Sequence, residues 1–168
     1  MPELTPQERL QPSLLDRLTD YEPDLMREGP DKKILSPQRL RDSVKRDLTW
    51  LLNTTNLSTV QDLARYPEVE TSVVNFGAPD LAGRVASSID TAALARELRQ
   101  AINNFEPRLK RSSLKVRIDT VAADHRPNSL RFLIEADLWS QPLPIRLYLR
   151  TDIDFEDGEA RVVEVGAE

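Results

Sequence analysis

The stretch AINNFEPRLKRSSLKVRI, residues 101–118, decides the fold, because the spacing of its apolar residues changes at a proline. Before Pro107 the spacing is helical, and after it Leu114, Val116 and Ile118 alternate with polar residues as in a strand. Proline has no backbone N–H and disfavours helical geometry at the residue before it. We therefore expect a helix to end near Glu106 and strands to follow.

The charges on either side of this proline have two interpretations. Residues two apart in an extended segment project to the same side, so Glu106 and Arg108 should point together. One interpretation is a helix stop whose charges find partners within the chain. The other is a preformed polar clamp of Glu106, Pro107 and Arg108 that binds another protein, with the arginine supplying a planar fork of donors.

Two amphipathic helices are predicted upstream of the junction. Ser36 as N-cap and Pro37 at the first helical position begin one of them, and Asp90 can cap the other. Each has an apolar face, formed by Leu40, Val44, Leu48, Leu51 and Leu52 in the first helix and by Leu94, Leu98, Ala101, Ile102 and Phe105 in the second.

Two shorter helices are expected between them. Ser58 and Gln61 occupy capping-box positions at the start of STVQDLARY, residues 58–66. Pro67 can begin a further helix that runs through Val73 and stops near Gly77, where a left-handed conformation costs little.

The sequence pattern after the junction predicts a small sheet. Apolar residues alternate with polar ones in three segments, and an Asp-Gly turn at Asp157 and Gly158 precedes a last strand. The fold class is therefore α+β, with N-terminal helices packed on a small, largely antiparallel C-terminal sheet. We predict one domain over residues 36–168, with helices in 36–105 and the sheet in 113–166.

The first 35 residues differ from the rest, because they hold five of the twelve prolines. We expect an N-terminal arm with one short helix, capped by Ser13, whose apolar face is Leu14, Leu15 and Leu18. This helix could dock on the chain's own core or grip a neighbouring protein.

Composition restricts the function classes. The chain of 168 residues is 39% apolar, has a mean hydropathy of -0.47 and a net charge of -5, and contains no cysteine. It has no apolar run near the ~20 residues of a membrane span, and its N-terminal residues do not resemble a signal peptide, so we expect a cytoplasmic protein. Residues 96–118 carry seven Lys or Arg against two Glu, but without interleaved aromatic residues they are a poor nucleic-acid site.

Four sequence blocks resemble a known family. LLDRLTD (14–20), RDLTWLLNT (46–54), YPEVETSVVNFGAPDLAG (66–83) and INNFEPRL (102–109) occur in the order found in type VI secretion baseplate subunits of the TssE type, which are related to phage baseplate wedge proteins of the GPW family. The Glu-Pro-Arg triplet at residues 106–108 is that family's hallmark. One departure is Thr55, where many members have an arginine.

The resemblance implies a structural role and no cofactor. Such subunits sit in the wedge of a contractile injection machine, docked at the cytoplasmic side of the inner membrane. Their partners are the wedge subunits TssF and TssG, TssK through the wedge complex, and the sheath proteins TssB and TssC. Their fold is similar to the sheath's handshake domain, which implies a template for sheath assembly. The triplet Glu106, Pro107 and Arg108 would be the partner-binding site.

A lysozyme-like glycan hydrolase using Glu106 is the alternative function. It needs a second carboxylate roughly 5–9.5 Å away, for which Asp119 or Glu135 could be proposed. Arg108, two residues from Glu106, favours the ionised carboxylate and so makes a poor general acid of it. The single histidine, His125, lies in a polar loop, and the sequence has no metal-ligand cluster, so we expect no catalytic residue and no metal site.

Overall fold

The architecture is a layer of helices on one face of a four-stranded antiparallel sheet, seen in a computed structural model that describes residues 13–19, 23–24, 36–83, 88–119, 129–139 and 144–166. The helices are α1 (Leu14–Leu18), α2 (Pro37–Leu52), α3 (Pro67–Glu70) and α4 (Thr91–Phe105). The strands are β1 (Lys115–Ile118), β2 (Ser129–Leu138), β3 (Ile145–Asp154) and β4 (Ala160–Glu164). The α+β prediction is confirmed, whereas His125 and most of the arm lie outside the described residues.

Helices α2 and α4 form as the sequence predicts. The Ser36 side chain accepts a hydrogen bond from the Arg39 N–H, and the Asp90 side chain accepts from Ala92 and Ala93. All five predicted apolar residues of α2 are buried, as are four of the five on α4. Phe105, the fifth, is half-buried and packs edge to face on Phe76, with ring centroids 5.3 Å apart.

The prediction of a helix over residues 58–66 is wrong. Only one 3₁₀ turn forms there, over Leu57–Thr59, and it is capped by the side chain of Asn56. In a capping box the Ser58 N–H would donate to the side chain of Gln61. In the structure it donates instead to Oδ1 of the buried Asn75, at 2.9 Å. A residue 17 positions away thus competes with the local helix signal.

The helix that begins at Pro67 is shorter than predicted. It ends at Glu70, and Val73 starts a separate 3₁₀ turn over Val73–Asn75. The Ser72 side chain caps this second turn by accepting from the Val74 N–H, which gives the chain a local alternative to continuing the helix.

The sheet has the strand order β1-β2-β3-β4, so β1 and β4 are its edges. Alternate residues of β2 and β3 face the helices and are at most 3% exposed; they are Phe132, Ile134, Ala136, Leu138, Leu147, Leu149, Thr151 and Ile153. Helix α2 packs over β4, and α4 packs over β1. The core therefore lies between this inner face and the two long helices.

Gly77 joins the loop after α2 to the loop before α4. The Ala78 N–H donates to the Thr54 carbonyl at 2.7 Å, and the Asn56 N–H donates to the Ala78 carbonyl at 3.0 Å. Gly77 has a φ of +140°, and a Cβ there would lie 2.3 Å from the Thr54 carbonyl oxygen. The close approach of the two backbones requires a glycine.

We predict that Gly77→Ala lowers the free energy of unfolding by about 3 kcal/mol. The positive φ at this position costs a residue with a side chain ~1–3 kcal/mol, and the new Cβ would also clash with backbone atoms. Urea unfolding measures the change. Gly166→Ala is the matched control, since nothing lies within 4 Å of that position, and we expect it to stay within about 0.5 kcal/mol of wild type. Equal stability of the two variants would contradict the role given to Gly77.

Candidate functional site

The candidate site is the turn that follows α4. Glu106 is the C-cap of the helix: its N–H donates to the Ile102 carbonyl at 2.9 Å, and its φ and ψ of -120° and 80° leave helical geometry. The Leu109 N–H then donates to the Glu106 carbonyl at 3.2 Å, which closes a turn around Pro107. The helix stop predicted from the proline is confirmed.

Glu106 and Arg108 form a bidentate ion pair across this turn. Arg108 Nε donates to Glu106 Oε1 at 2.7 Å, and Arg108 Nη2 donates to Glu106 Oε2. The Arg108 backbone N–H adds a third hydrogen bond to Oε1, at 3.1 Å. Glu106 is only 3% exposed, so both oxygens of a buried carboxylate are satisfied within two residues of the chain.

The same guanidinium also holds helix α2. Arg108 Nη1 donates to the hydroxyl of the buried Ser43 at 2.7 Å, and Nη2 donates to Asp47 Oδ2 at 2.6 Å. Burial by itself lowers the pKa of Arg108, but the hydrogen bonds and charge of Glu106, followed by those of Asp47, outweigh it and raise the pKa above its usual value. The arginine is a fixed cation that joins α4's end to α2.

Ser43 and Asp47 are not among the site residues predicted from the sequence. Their signal was present but weak: they lie four residues apart, one turn of α2, beside the apolar residues Val44 and Leu48. A polar pair at that spacing also fits a solvated helix side. Only the packing of α4 against α2 shows that the pair faces Arg108.

The ion-pair network extends from Asp47 to the short helix α1. Arg46 Nε donates to Asp47 Oδ1 at 2.9 Å, and Arg46 Nη1 donates to Asp16 Oδ1 at 2.5 Å. Burial raises the pKa of Asp16, but hydrogen bonds from Arg46 and Ser13 outweigh it, and the pKa of Asp16 is lowered. Helix α1 is thus attached to α2 through its aspartate, while Leu14, Leu15 and Leu18 remain exposed.

The turn is fixed to the sheet as well. The Lys110 N–H donates to the Asp137 carbonyl at 2.9 Å, and the Trp139 N–H donates to the Arg108 carbonyl at 2.8 Å. These bonds flank an isolated antiparallel bridge between Leu109 and Leu138. The triplet therefore lies where α2, α4 and the end of β2 meet.

The accessible part of this site is small. Pro107 is exposed, and the Arg108 side chain keeps 22% of its surface accessible, whereas Glu106 faces inward. The expected pairing of the two charges is present within the chain. Binding of a partner by Glu106, Pro107 and Arg108 stays a prediction.

The arrangement does not favour acid catalysis. Both carboxylate oxygens of Glu106 are engaged by Arg108. Glu135 lies on the other face of the sheet, 3.7 Å from Arg146, and Asp119 follows β1 with its N–H bonded to the Arg131 carbonyl. Among the described residues, no group of His, Cys, Asp or Glu could hold a metal ion, and no helix is both long and apolar enough to span a membrane.

One comparison with known proteins gives a family. The family model described as baseplate wedge protein gp25 matches residues 38–143. This range covers well over half of the chain, from the first turn of α2 past the end of β2, and includes the triplet. The comparison with curated proteins returns no match.

We predict that Arg108→Ala lowers the free energy of unfolding by about 2–3 kcal/mol. Removing one partner of a buried ion pair costs ~3–5 kcal/mol, and the remaining exposure of Arg108 reduces that figure. Arg108→Lys should recover part of the loss, because an ammonium cannot reproduce the two-pronged contact. Chemical unfolding with far-ultraviolet circular dichroism measures both.

The matched control for this variant is Arg99→Ala, which removes an exposed arginine from the outer side of α4. We expect it to unfold within about 0.5 kcal/mol of wild type. If Arg108→Ala and Arg99→Ala had the same stability, the internal role of Arg108 would be wrong.

We also predict that α1 detaches from α2 in acid. The lowered pKa of Asp16 means that docked α1 binds fewer protons than free α1, so docking is complete above about pH 4 and is lost as the pH falls through the lowered value. Trp50 reports the change, because the Arg46 guanidinium lies 5.1 Å from its ring.

Fluorescence of a Trp139→Phe background isolates the Trp50 signal during this titration. Asp16→Asn in the same background should remove the transition, while circular dichroism at each pH shows whether α2 and α4 remain folded. An identical titration of both proteins would refute the attachment through Asp16.

Proposed function

The chain belongs to the gp25 family of baseplate wedge proteins, and from this premise we propose that it is the TssE-type wedge subunit of a type VI secretion machine. The family is one of structural baseplate components that contact other baseplate subunits. The narrower assignment rests on the four ordered sequence blocks, which resemble TssE-type subunits over almost the whole chain. Docking of the assembly at the cytoplasmic side of the inner membrane is part of the proposal.

The observation that best supports a structural role is the sharing of Arg108 between Glu106, Ser43 and Asp47. Four side-chain hydrogen bonds from one guanidinium fix the turn to α2 and leave Glu106 no free oxygen for chemistry. A rigid turn with an exposed proline suits a contact surface, since little conformational entropy is lost when a partner binds it. We propose that TssF and TssG contact this turn, and that TssK is reached through them.

The edges of the sheet suit the sheath proteins TssB and TssC. Among the described residues, β1 and β4 are the outer strands, and an additional strand could pair with their open sides. On β4 such pairing would begin after Ala160, because the Asn53 side chain already binds both backbone groups of that residue. Backbone hydrogen bonds would supply affinity, and the alternating side chains would set the register. Such pairing would let the subunit serve as a template for the first sheath ring.

Enzymatic and nucleic-acid functions are not part of this proposal. The hydrolase alternative has no observation in its favour, because its only proposed acid is buried against an arginine. The basic stretch 96–118 does not form one surface: Arg96 and Arg99 lie on α4, Arg108 is engaged internally, and Lys115 and Arg117 belong to β1. We propose no cofactor.

We predict that folded Arg108→Ala loses affinity for a purified TssF–TssG complex by about 30-fold or more, since removing one partner of a desolvated contact can cost ~2–5 kcal/mol. Affinity is measured below the melting temperature and corrected for the folded fraction of each variant. Arg108→Lys should bind with intermediate affinity, and Arg99→Ala should bind like wild type.

Pro107→Ala distinguishes the two roles of the turn. It leaves the charges in place and removes the exposed ring, so a loss of binding without a loss of stability would support contact through the turn. If the folded fractions of Arg108→Ala and Pro107→Ala bound like wild type, the triplet would hold the domain together and not the wedge.

A further inference from the structure

The outer face of the sheet carries a row of side chains that no described helix covers. The strand register places Arg117, Leu133, Arg150 and Val163 side by side across β1, β2, β3 and β4. Adjacent strands are ~4.8 Å apart, so this outer row is about 15 Å long. Its four members alternate between cationic and apolar.

The members of the outer row point away from the core. Their neighbours along β2 and β3, such as Phe132 and Leu149, are at most 1% exposed and face the helices. In contrast, Arg117 is exposed, the Arg150 side chain is 41% exposed, and Val163 is 39% exposed. Leu133 is half-buried between the two arginines.

The two arginines lack strong acidic partners within the described part of the chain. Arg117 has no ion pair there. Arg150 lies 3.5 Å from Asp152, but that carboxylate already forms the closer pair with Arg131, at 2.5 Å. Two other acids of this face, Glu135 and Asp137, both pair with Arg146. The row is therefore locally cationic in a chain of net charge -5.

Protection of a sheet edge does not explain both arginines. A charged residue on an edge strand discourages unwanted strand pairing, which would account for Arg117 on β1. Arg150 lies on β3, an inner strand of the sheet, where no edge needs protection. Two such cations on either side of the half-buried Leu133 are better explained by a partner surface that supplies acidic and apolar groups together.

We propose that the outer row is a second docking surface, which receives a protein segment with acidic side chains on either side of an apolar one. The partner is a wedge subunit in the TssF–TssG complex, a point that rests on the proposed function. Acidic groups would face Arg117 and Arg150, and the apolar group would cover Leu133 and Val163. A nucleic acid fits less well, because its continuous phosphates would also meet Glu135, Asp137 and Asp152.

The test compares full-length wild type with the double variant Arg117→Glu, Arg150→Glu for binding to purified TssF–TssG at low and high salt. We expect the variant to bind about 10- to 100-fold more weakly at low salt, because like charges would then face each other, and the difference should shrink at high salt. Arg96→Glu, Arg99→Glu is the control with the same change of net charge on the exposed side of α4. It should bind like wild type.

A single variant keeps the test valid if the double variant misfolds. Arg117→Glu changes an exposed residue without an ion pair among the described residues, so it should melt like wild type and still weaken binding. Wild-type affinity for both charge-reversed proteins would overturn the docking surface and leave the proposed function standing. Failure of wild type itself to bind would overturn both. Low-salt binding to double-stranded DNA that the double variant abolishes would show a polyanion site and overturn the protein partner.

Discussion

The packing of α4 against α2 depends on the hydrogen bonds that the Arg108 guanidinium makes to both helices. The guanidinium donates to a buried carboxylate at the end of α4 and to two polar groups on α2. The backbone carbonyl of Arg108 accepts a hydrogen bond from the Trp139 N–H, just after β2. A lysine could carry the charge but could not make these contacts at once, because it lacks a planar fork of donors. Helices and sheet are thus oriented by one polar junction in addition to the apolar core.

Stability and binding are consequently difficult to separate at this turn. The same arginine that would face a partner also neutralises Glu106. Its removal therefore leaves a buried carboxylate without its partner as well as altering the surface. A large loss of assembly in a triplet variant would therefore mean little without the folded fraction of that variant. Pro107 is the informative residue, because it is the exposed member of the triplet and makes no side-chain hydrogen bond.

The sheet divides its surface among three kinds of contact. Its inner face is apolar and is covered by α2 and α4, and β1 and β4 form its two edges. The outer face pairs most of its charges within the sheet but leaves the arginines of the outer row poorly compensated. A small domain can in this way contact several neighbours at once, which is what a wedge component in a large assembly requires.

The sequence by itself determined the elements whose signals are local. Apolar periodicity and capping residues located α2 and α4, and Pro107 located the helix end. Alternation located three strands, and the Asp-Gly turn indicated the fourth. The sequence prediction failed over residues 58–66, because the buried amide of Asn75 takes the Ser58 N–H that a helix cap would have used. The sequence also could not decide whether the Glu-Pro-Arg charges find partners within the chain or bind another protein, since Ser43 and Asp47 lie more than 60 residues from Arg108. Only the tertiary structure decided that Arg108 is engaged within the chain, because hydrogen bonds between residues so distant in sequence exist only after α4 has packed against α2.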